Sequence, residues 1–516
     1  MNLLKTLGTI SGLTLLSRVT GLLRDSLFAS AFGVSAMTDA FNVAFRIPNL
    51  LRRLFAEGAF AQAFVPMLSE YKNTKTPEEA KSLVDQVASA LLWATLITAL
   101  LGIIGAPVLL WGMAHGLQDK REAFEASVFM TRLMFPYICC MSFVALAGGV
   151  LNTWREFRIP AFSPVLLNLS FIGCALWLAP HLQEPVYAMA IAVCIGGLLQ
   201  VAIQLPALRR IGMLPRLSLS PLAPFRDPAV RRVLTRMGPA VFAVSATQLS
   251  IMINTAIAST LGEGSISALF YADRLMEFPT ALLGVALGTI LLPGLSAAIQ
   301  KKQEQEFNGL LDWGLRLACL LTLPAAVGLA TLAVPLIATL FHYGRFNAQA
   351  VAMAQAPLIA YAAGLIGFIL VKILAPAFYA QQNIKTPVKI AIGVMILTQL
   401  MNALFVPFLG TAGLALSVGL GACGNAAFLY WFLRKNGQYQ PRPGWWLFAG
   451  KLLIALCAMG ALSWWAAQSL PWIAWGAKPW LRAGMLGVVV GACIVLYFGV
   501  LFALGFRVKD FKRVVN

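Results

Sequence analysis

The sequence is short of charge, and of acid most of all: 11% of its 516 residues are charged, with 20 Asp+Glu against 39 Lys+Arg. A water-soluble domain carries roughly 25% charged residues, so this chain lacks the polar surface to face water on all sides. With 59% hydrophobic residues and a mean hydropathy of +0.79 it reads as an integral membrane protein. Long polar stretches are missing too. The longest loop, about residues 209–236, holds several Pro and Arg and reads as a linker. Without a soluble basic domain, the net charge of +19 gives no footing to a nucleic-acid partner.

Histidine is scarce: His115, His181 and His342 fall in or beside expected outer loops and read as structural. The eight Cys all lie in apolar runs, without a C-x-x-C pair or a His at ligand spacing, and read as small buried hydrophobes rather than disulfides or metal ligands. Nor does the N-terminus read as a cleavable leader, because Arg18 and Arg24 interrupt the first apolar stretch and no small-residue cleavage site follows. The first segment is expected to stay in the mature chain.

What the chain has is apolar length. A membrane-crossing helix takes about 20 predominantly apolar residues, and such windows fall near 8–32, 38–68, 84–111, 126–150, 160–180, 186–208, 237–262, 267–296, 309–340, 348–376, 387–407, 412–433, 446–470 and 482–506. The expected fold class is all-α, a polytopic membrane protein with about 14 transmembrane helices. Cytoplasmic loops are enriched in Lys and Arg. Alternate loops hold 25 basic residues on one side and on the other only five, Lys120, Arg121, Arg345, Lys478 and Arg482. That split puts both termini in the cytoplasm. Seven of the 13 Trp lie between Trp445 and Trp480, around the ends of spans 13 and 14, where interfacial anchors belong.

The chain also repeats itself. Ala29-Ser30 and Gly33 echo Ala258-Ser259 and Gly262 at an offset of 229, and Ala44 and Arg46 echo Ala272 and Arg274 at 228. Pro66-Met67-Leu68-Ser69 and Arg158-Ile159-Pro160 follow in Pro293-Gly294-Leu295-Ser296 and Lys385-Thr386-Pro387 at 227. The division expected is a six-helix half over 1–208, the linker 209–236, a second six-helix half over 237–435, and two extra helices with a cytoplasmic tail over 436–516. Two such halves in one orientation point to alternating access with the site between them.

Nine basic residues remain once those of the loops are subtracted: Arg18, Arg24, Arg46, Arg52, Arg53, Arg132, Arg274, Arg316 and Lys372. Five acids face them, Asp25, Asp39, Glu57, Asp273 and Glu277, an excess of four cations where each charge costs about 2.5 to 3.5 kcal/mol at the bilayer centre. In span 2, Asp39, Asn42, Arg46, Asn49, Arg53 and Glu57 share one helical face until Pro48 bends it. Arg52 lies off that stripe and ranks below Arg53 on periodicity. In span 1, Ser17, Gly21 and Arg24 form one stripe, and Arg18 and Asp25 the next. In span 8, Asp273 and Glu277 share a face with Arg274 beside them. Arg53 with Glu57 also fits a plain i,i+4 pair, Arg132 and Arg316 fit snorkelling from span ends, and Lys372 fits a carbonyl partner. A cation-rich intramembrane cavity favours an anionic substrate, and guanidinium forks suit phosphate oxygens. Asp25, Asp39 and Glu277 either orient those arginines or accept protons.

The same residues carry a family resemblance. The run from Ser17-Arg18-Val19-Thr20-Gly21-Leu22-Leu23-Arg24-Asp25, then Asp39-Ala40-Phe41, the stretch from Ile47-Pro48-Asn49 through Arg52-Arg53 to Glu57-Gly58-Ala59-Phe60, and Ala63-Phe64-Val65-Pro66 closely resembles the MurJ (MviN) lipid II flippases. Tyr271-Ala272-Asp273-Arg274-Leu275-Met276-Glu277-Phe278-Pro279 resembles that family's span 8. The resemblance covers essentially the whole chain and places it in the multidrug/oligosaccharidyl-lipid/polysaccharide exporter superfamily. It implies a multi-pass protein of the bacterial cytoplasmic (inner) membrane. Such a protein moves undecaprenyl-pyrophosphate-linked disaccharide pentapeptide to the periplasmic leaflet for peptidoglycan synthesis, and it needs no covalent chemistry, metal or cofactor. Its partners would be lipid II and membrane lipids, with cell-wall synthesis proteins beside them.

By the same resemblance Arg18, Arg24, Arg52 and Arg274, with Asp39 and Glu277, match charged positions of the family's central cavity, which raises Arg52 above its periodicity ranking. With Ser17, Asp25 and Arg53 these form the candidate substrate-binding set; none is given a catalytic role. Spans 13 and 14 would form a lipid-facing groove for the isoprenoid tail, where Gly487-x-x-x-Gly491 fits close packing. Some relatives use a sodium site in the second half. Span 7 itself holds no acid, only Asn254 and, beyond its end, Glu263, which leaves membrane potential or protons as the coupling.

Three competing functions are open to test. A drug/cation antiporter of the same superfamily calls for acidic or aromatic pockets, whereas this core is net basic. A polyprenyl-phosphate glycosyltransferase needs acidic catalytic residues in an outer loop, and the outer loops here are short and lack paired acids. A non-transporting cell-wall scaffold predicts that the buried arginines matter only for stability.

Overall fold

The computed structural model of the chain describes residues 3–52, 59–383 and 385–507. Every regular element among them is helical: α1 (Leu3–Phe32), α2 (Ala36–Arg52), α3 (Ala59–Thr74), α4 (Pro77–Met113), α5 (Arg121–Met134), α6 (Tyr137–Thr153), α7 (Arg158–Gly173), α8 (Tyr187–Arg210), α9 (Ala223–Arg226) and α10 (Pro228–Ser259). Then come α11 (Ser265–Gln300), α12 (Glu304–Thr331), α13 (Ala333–Phe341), α14 (Ala348–Ala380), α15 (Lys385–Leu409), α16 (Thr411–Lys435), α17 (Trp445–Ser469) and α18 (Pro479–Ala503).

Ten helical stretches are long and apolar enough to cross a membrane, and they fall on ten of the expected windows. The other four windows are occupied by α1, by α2 with α3, by α10 and by α11. Like the window of α2 and α3, two others each hold two helices rather than one. The break after Phe135 falls at Pro136, whose missing N–H cannot continue the ladder, and α12 gives way to α13 at Leu332. Boundaries follow local chemistry. Thr76 and Glu79 close a reciprocal capping box at the start of α4, with bonds of 3.2 and 3.0 Å. Asp227 ahead of Pro228 caps α10, and Asn347 caps α14. α8 and α16 end on Arg209-Arg210 and Arg434-Lys435, complementing the negative end of the helix dipole.

The chain divides into two compact units, Met1–Ile266 and Ser267–Asn516. In the first, Phe64, Met67, Leu68, Val84, Leu146, Val150 and Leu208 form a fully buried core from α3, α4, α6 and the end of α8. α10, which carries the window expected to open the second half, packs against α3 and α4 of this same unit through Val230, Val233 and Met237.

In the second unit α14 lies against α12 and α16. The closest approach is between Gly364 and Gly419, where a Cβ on Gly364 would sit 2.1 Å from the Gly419 Cα. The Gly487-x-x-x-Gly491 pair makes no such approach, since a Cβ on either would meet nothing within 4 Å. Helix proximity here is set by glycines on two different helices facing each other, not by an i,i+4 spacing on one. α17 and α18 pack together and onto α12 and α13. Of the seven clustered Trp, Trp446 and Trp480 are exposed as interfacial anchors are, but Trp472 is buried with its indole N–H on the Ala466 carbonyl, and Trp445 turns inward. The eight cysteines are free.

Candidate functional site

In the first unit the expected span 1 residues converge on α7. The Arg24 Nε and Nη2 both donate to Asp25 Oδ1, at 2.9 and 2.7 Å, and Nη1 donates to Asn168 Oδ1 at 3.1 Å. Asn168 in turn donates from Nδ2 to the Ser17 carbonyl (3.0 Å) and to Thr20 Oγ1 (3.1 Å). The guanidinium lies over the Phe171 ring, 5.3 Å from its centroid. Three residues of α1 are thus tied to one amide side chain, which fits an intramembrane cation that needs partners to be held away from water. Directly after Gly173 the helix runs through a π segment, Cys174–Leu178. Arg18, one stripe round α1, is exposed and has no carboxylate partner among the described residues.

α2 packs on α5, and Arg46 of its polar face reaches α10. Arg46 donates to Thr255 Oγ1. Asp39 is buried, and its Oδ2 accepts the backbone N–H of Gly264 at 2.7 Å. Nearby, Glu263 accepts from the Ala36 N–H (3.1 Å) and pairs with Lys120 (3.3 Å). The Ala36 amide holds the Glu263 carboxyl below its usual range against a smaller opposing effect of burial, with Lys120 adding to the depression. Asp39 and Glu263 therefore fasten the turn between α10 and α11. Arg53 and Glu57 lie outside the described residues, and so does the side chain of Arg52, the last residue of α2.

In the second unit Arg274 pairs with Glu277 one helical turn on, at 2.9 Å, and lies over Phe270 at 5.1 Å. Both charges are partly exposed, and Asp273 beside them is exposed as well. Lys372 donates to the Thr280 carbonyl at 3.2 Å, and Arg132 to the Ile103 carbonyl at 3.1 Å.

The count of five intramembrane acids is corrected by two residues that stand inside expected windows, Asp85 and Asp312. Asp85 pairs with Lys81 on α4. Asp312, 3% exposed, accepts from Tyr439 Oη (2.8 Å), the Arg442 N–H (3.1 Å) and Trp445 Nε1 (2.8 Å) on Oδ1, and from Arg316 Nε (2.8 Å) on Oδ2. Arg316 donates onward to the carbonyl of Pro443 at 2.9 Å and lies over Trp445 at 5.0 Å. It is held by an acid rather than snorkelling. Burial, and then the neighbouring Asp312, push the Tyr439 hydroxyl far above its ordinary range.

Arg482, placed by the sequence in an outer loop, is 0% exposed; it donates to His342 Nδ1 (3.2 Å) and the His342 carbonyl (3.1 Å) and lies over Tyr343 at 4.8 Å. The one sequence signal for these partners was a solitary polar residue in an apolar run, as at Asn168 and Asp312. A groove of about 380 Å³ runs between α12, α13, α17 and α18, with Leu329, Met459 and Val490 in its apolar walls.

Many long apolar helices, with arginines buried or half-buried on some of them and an apolar groove in the second unit, fit a polytopic membrane transporter. The architecture matches an inward-facing MATE transporter of the MOP superfamily (TM-score 0.67, 15% identity, 83% of this chain and 98% of that one). It matches more closely a structure titled "Lipid II flippase MurJ, inward closed conformation" (TM-score 0.79, 23% identity, 95% and 97% covered). The family model described as "Lipid II flippase MurJ" matches residues 28–479. The curated lipid II flippase MurJ of Burkholderia cenocepacia is 54% identical over 99% of both chains, and the probable one of Vibrio cholerae is 39% identical over 99% and 98%. The chain belongs to the MurJ family.

Proposed function

We propose that this chain is a lipid II flippase that moves the undecaprenyl-pyrophosphate-linked peptidoglycan precursor from the cytoplasmic to the periplasmic leaflet. It lies in the inner membrane with both termini cytoplasmic, the orientation favoured by the 25-to-5 loop charge split. The observation that carries the reading is Arg24, an intramembrane guanidinium held by Asp25, Asn168 and the Phe171 face. Its geometry is fixed before any ligand arrives, which lowers the ordering cost of gripping a pyrophosphate. Arg18, Arg52, Arg53 and Arg274 supply further cationic contacts, with Ser17 beside them. Asp25, Asp39 and Glu277 position arginines or turns, or take up protons during the cycle.

The isoprenoid tail stays in lipid, along the groove between α12, α13, α17 and α18, whose walls are apolar. The internal repeat supports alternating access as the mode of transport. No bond of the substrate is made or broken.

The test is the exposure of labelled lipid II to a periplasm-side probe, in cells whose own flippase is shut off and replaced by this chain. The wild type restores exposure, and Arg24→Ala at equal membrane level loses it by tenfold or more, about the worth of one charge-assisted contact. Restored exposure with Arg24→Ala at the wild-type rate would remove the arginine site. Efflux of cationic dyes without lipid II exposure would favour the antiporter, and a normally inserted protein that moves neither would favour the scaffold.

A further inference from the structure

A second cavity, of about 750 Å³, opens in the second unit between α12, α14 and α16. Its size is that of a ligand cleft, roughly 300 to 1,000 Å³. Leu315, Ile366, Leu370, Leu374 and Ala427 make its walls apolar, and the only charged residues along it are Arg434, in the last turn of α16, and Arg442, in the loop before α17.

The two guanidiniums differ from Arg316 close by. Arg316 is neutralised by Asp312, whereas Arg434 and Arg442 are exposed and have no carboxylate partner among the described residues. Arg442 is nonetheless fixed. Its N–H is bound by Asp312, its carbonyl accepts from Arg316 at 3.3 Å, and its guanidinium rests on α12 at Gly309, where a Cβ would lie 2.4 Å from Nη2. Trp446 beside it is 93% exposed, and Lys435 lies 4.8 Å over the exposed Trp431. Tryptophans with basic neighbours mark the level where bilayer headgroups lie. Basic pockets between transmembrane helices suit anionic lipid headgroups.

We propose that this cleft binds an anionic glycerophospholipid of the surrounding bilayer, with an acyl chain between α12, α14 and α16 and its phosphate on Arg434 and Arg442. The lipid would seal the second unit at a place apart from the groove assigned to the substrate's tail, and the proposal does not depend on what the protein transports.

The experiment counts lipids retained by the full chain, purified in neutral detergent, using native mass spectrometry after titration with phosphatidylglycerol or with phosphatidylcholine of the same chains. Phosphatidylglycerol is retained at least tenfold better by the wild type. The double variant Arg434→Gln/Arg442→Gln falls to the phosphatidylcholine level, at about 1 kcal/mol for each basic residue near a lipid phosphate. Arg345→Gln/Lys478→Gln, in other loops, keeps the preference. Ala427→Trp, which fills the cleft and leaves the charges in place, also loses it. Retention unchanged in the double arginine variant overturns the site. So does unchanged retention in Ala427→Trp, which would mean the arginines gather lipid at the surface only. A third overturning result is undecaprenyl phosphate that displaces phosphatidylglycerol and is not displaced by it, because the cleft would then belong to the carrier lipid.

Discussion

Arg24 in the first unit and Arg316 in the second are both arginines of long apolar helices, each bonded to a carboxylate on its own helix and laid on an aromatic ring. They differ in what surrounds the acid. Asp312 takes four donors from α12, the 436–444 loop and α17, so that pair is the knot of a fixed joint. The Arg24 fork spends two donors on a single oxygen of Asp25 and a third on an amide. Arg24 is held by two side chains and an aromatic face, whereas Arg316 is also locked to backbone carbonyls of the 436–444 loop. Intramembrane charge alone therefore does not mark a binding residue; whether its guanidinium is tied to side chains or also to backbone separates the two kinds.

The largest effect expected from this contrast is at Asp312. Replacing it with Ala leaves Arg316 and the Tyr439 and Trp445 donors without their acceptor, and breaking a buried pair of this sort costs about 3 to 5 kcal/mol. The purified Asp312→Ala protein should melt well below the wild type, and its level in the membrane should fall. A melting curve that overlays the wild type would show that the joint does not hold the second unit together.

Asn168→Ala sharpens the comparison from the other side. It removes three side-chain hydrogen bonds between α1 and α7, but interhelical bonds in membranes average only about 0.6 kcal/mol each. Stability should drop by about 1 to 2 kcal/mol. Transport should fall several-fold, because Arg24 loses the group that aims it. If Asn168→Ala transports normally while melting lower, the amide is only a structural tie and Arg24 is positioned by Asp25 alone.

How much of this was legible in the sequence follows the range of each signal. Membrane spans are a local property of some twenty residues, and the windows located them, missing that those at 38–68, 126–150 and 309–340 each hold two helices. The Arg24–Asp25 pair is adjacent in sequence and could be read, as could the carbonyl partner of Lys372. Asn168 lies 144 residues from Arg24, and Tyr439, Arg442 and Trp445 lie 127 to 133 residues from Asp312. No periodicity links residues that far apart. The glycine packing shows the same limit, since Gly364 and Gly419 meet only because α14 and α16 do. Packing also departs from the division expected of the sequence: α10 carries the window expected to open the second half, and its core belongs to the first unit.

Arg482 is a third kind of buried guanidinium, with a histidine where the other two have acids, and it yields the smallest effect. As a donor, Arg482 Nη1 needs a lone pair on His342 Nδ1, so the imidazole at this contact is neutral. Burial, and then the charge of Arg482, hold the His342 pKa below its ordinary value of 6.5. The unfolded chain then binds a proton at a higher pH than the folded one. The contact's contribution is complete above pH 6.5 and is lost progressively as the pH falls through the lowered folded value. Melting temperatures taken between pH 7.5 and 5.5 should decline for the wild type, by less than the change made by Asn168→Ala. In His342→Gln, whose amide oxygen still accepts from Arg482 but does not titrate, that decline should shrink. An equal decline in both proteins would place the pH dependence elsewhere and leave Arg482 held by the His342 carbonyl and the Tyr343 ring alone.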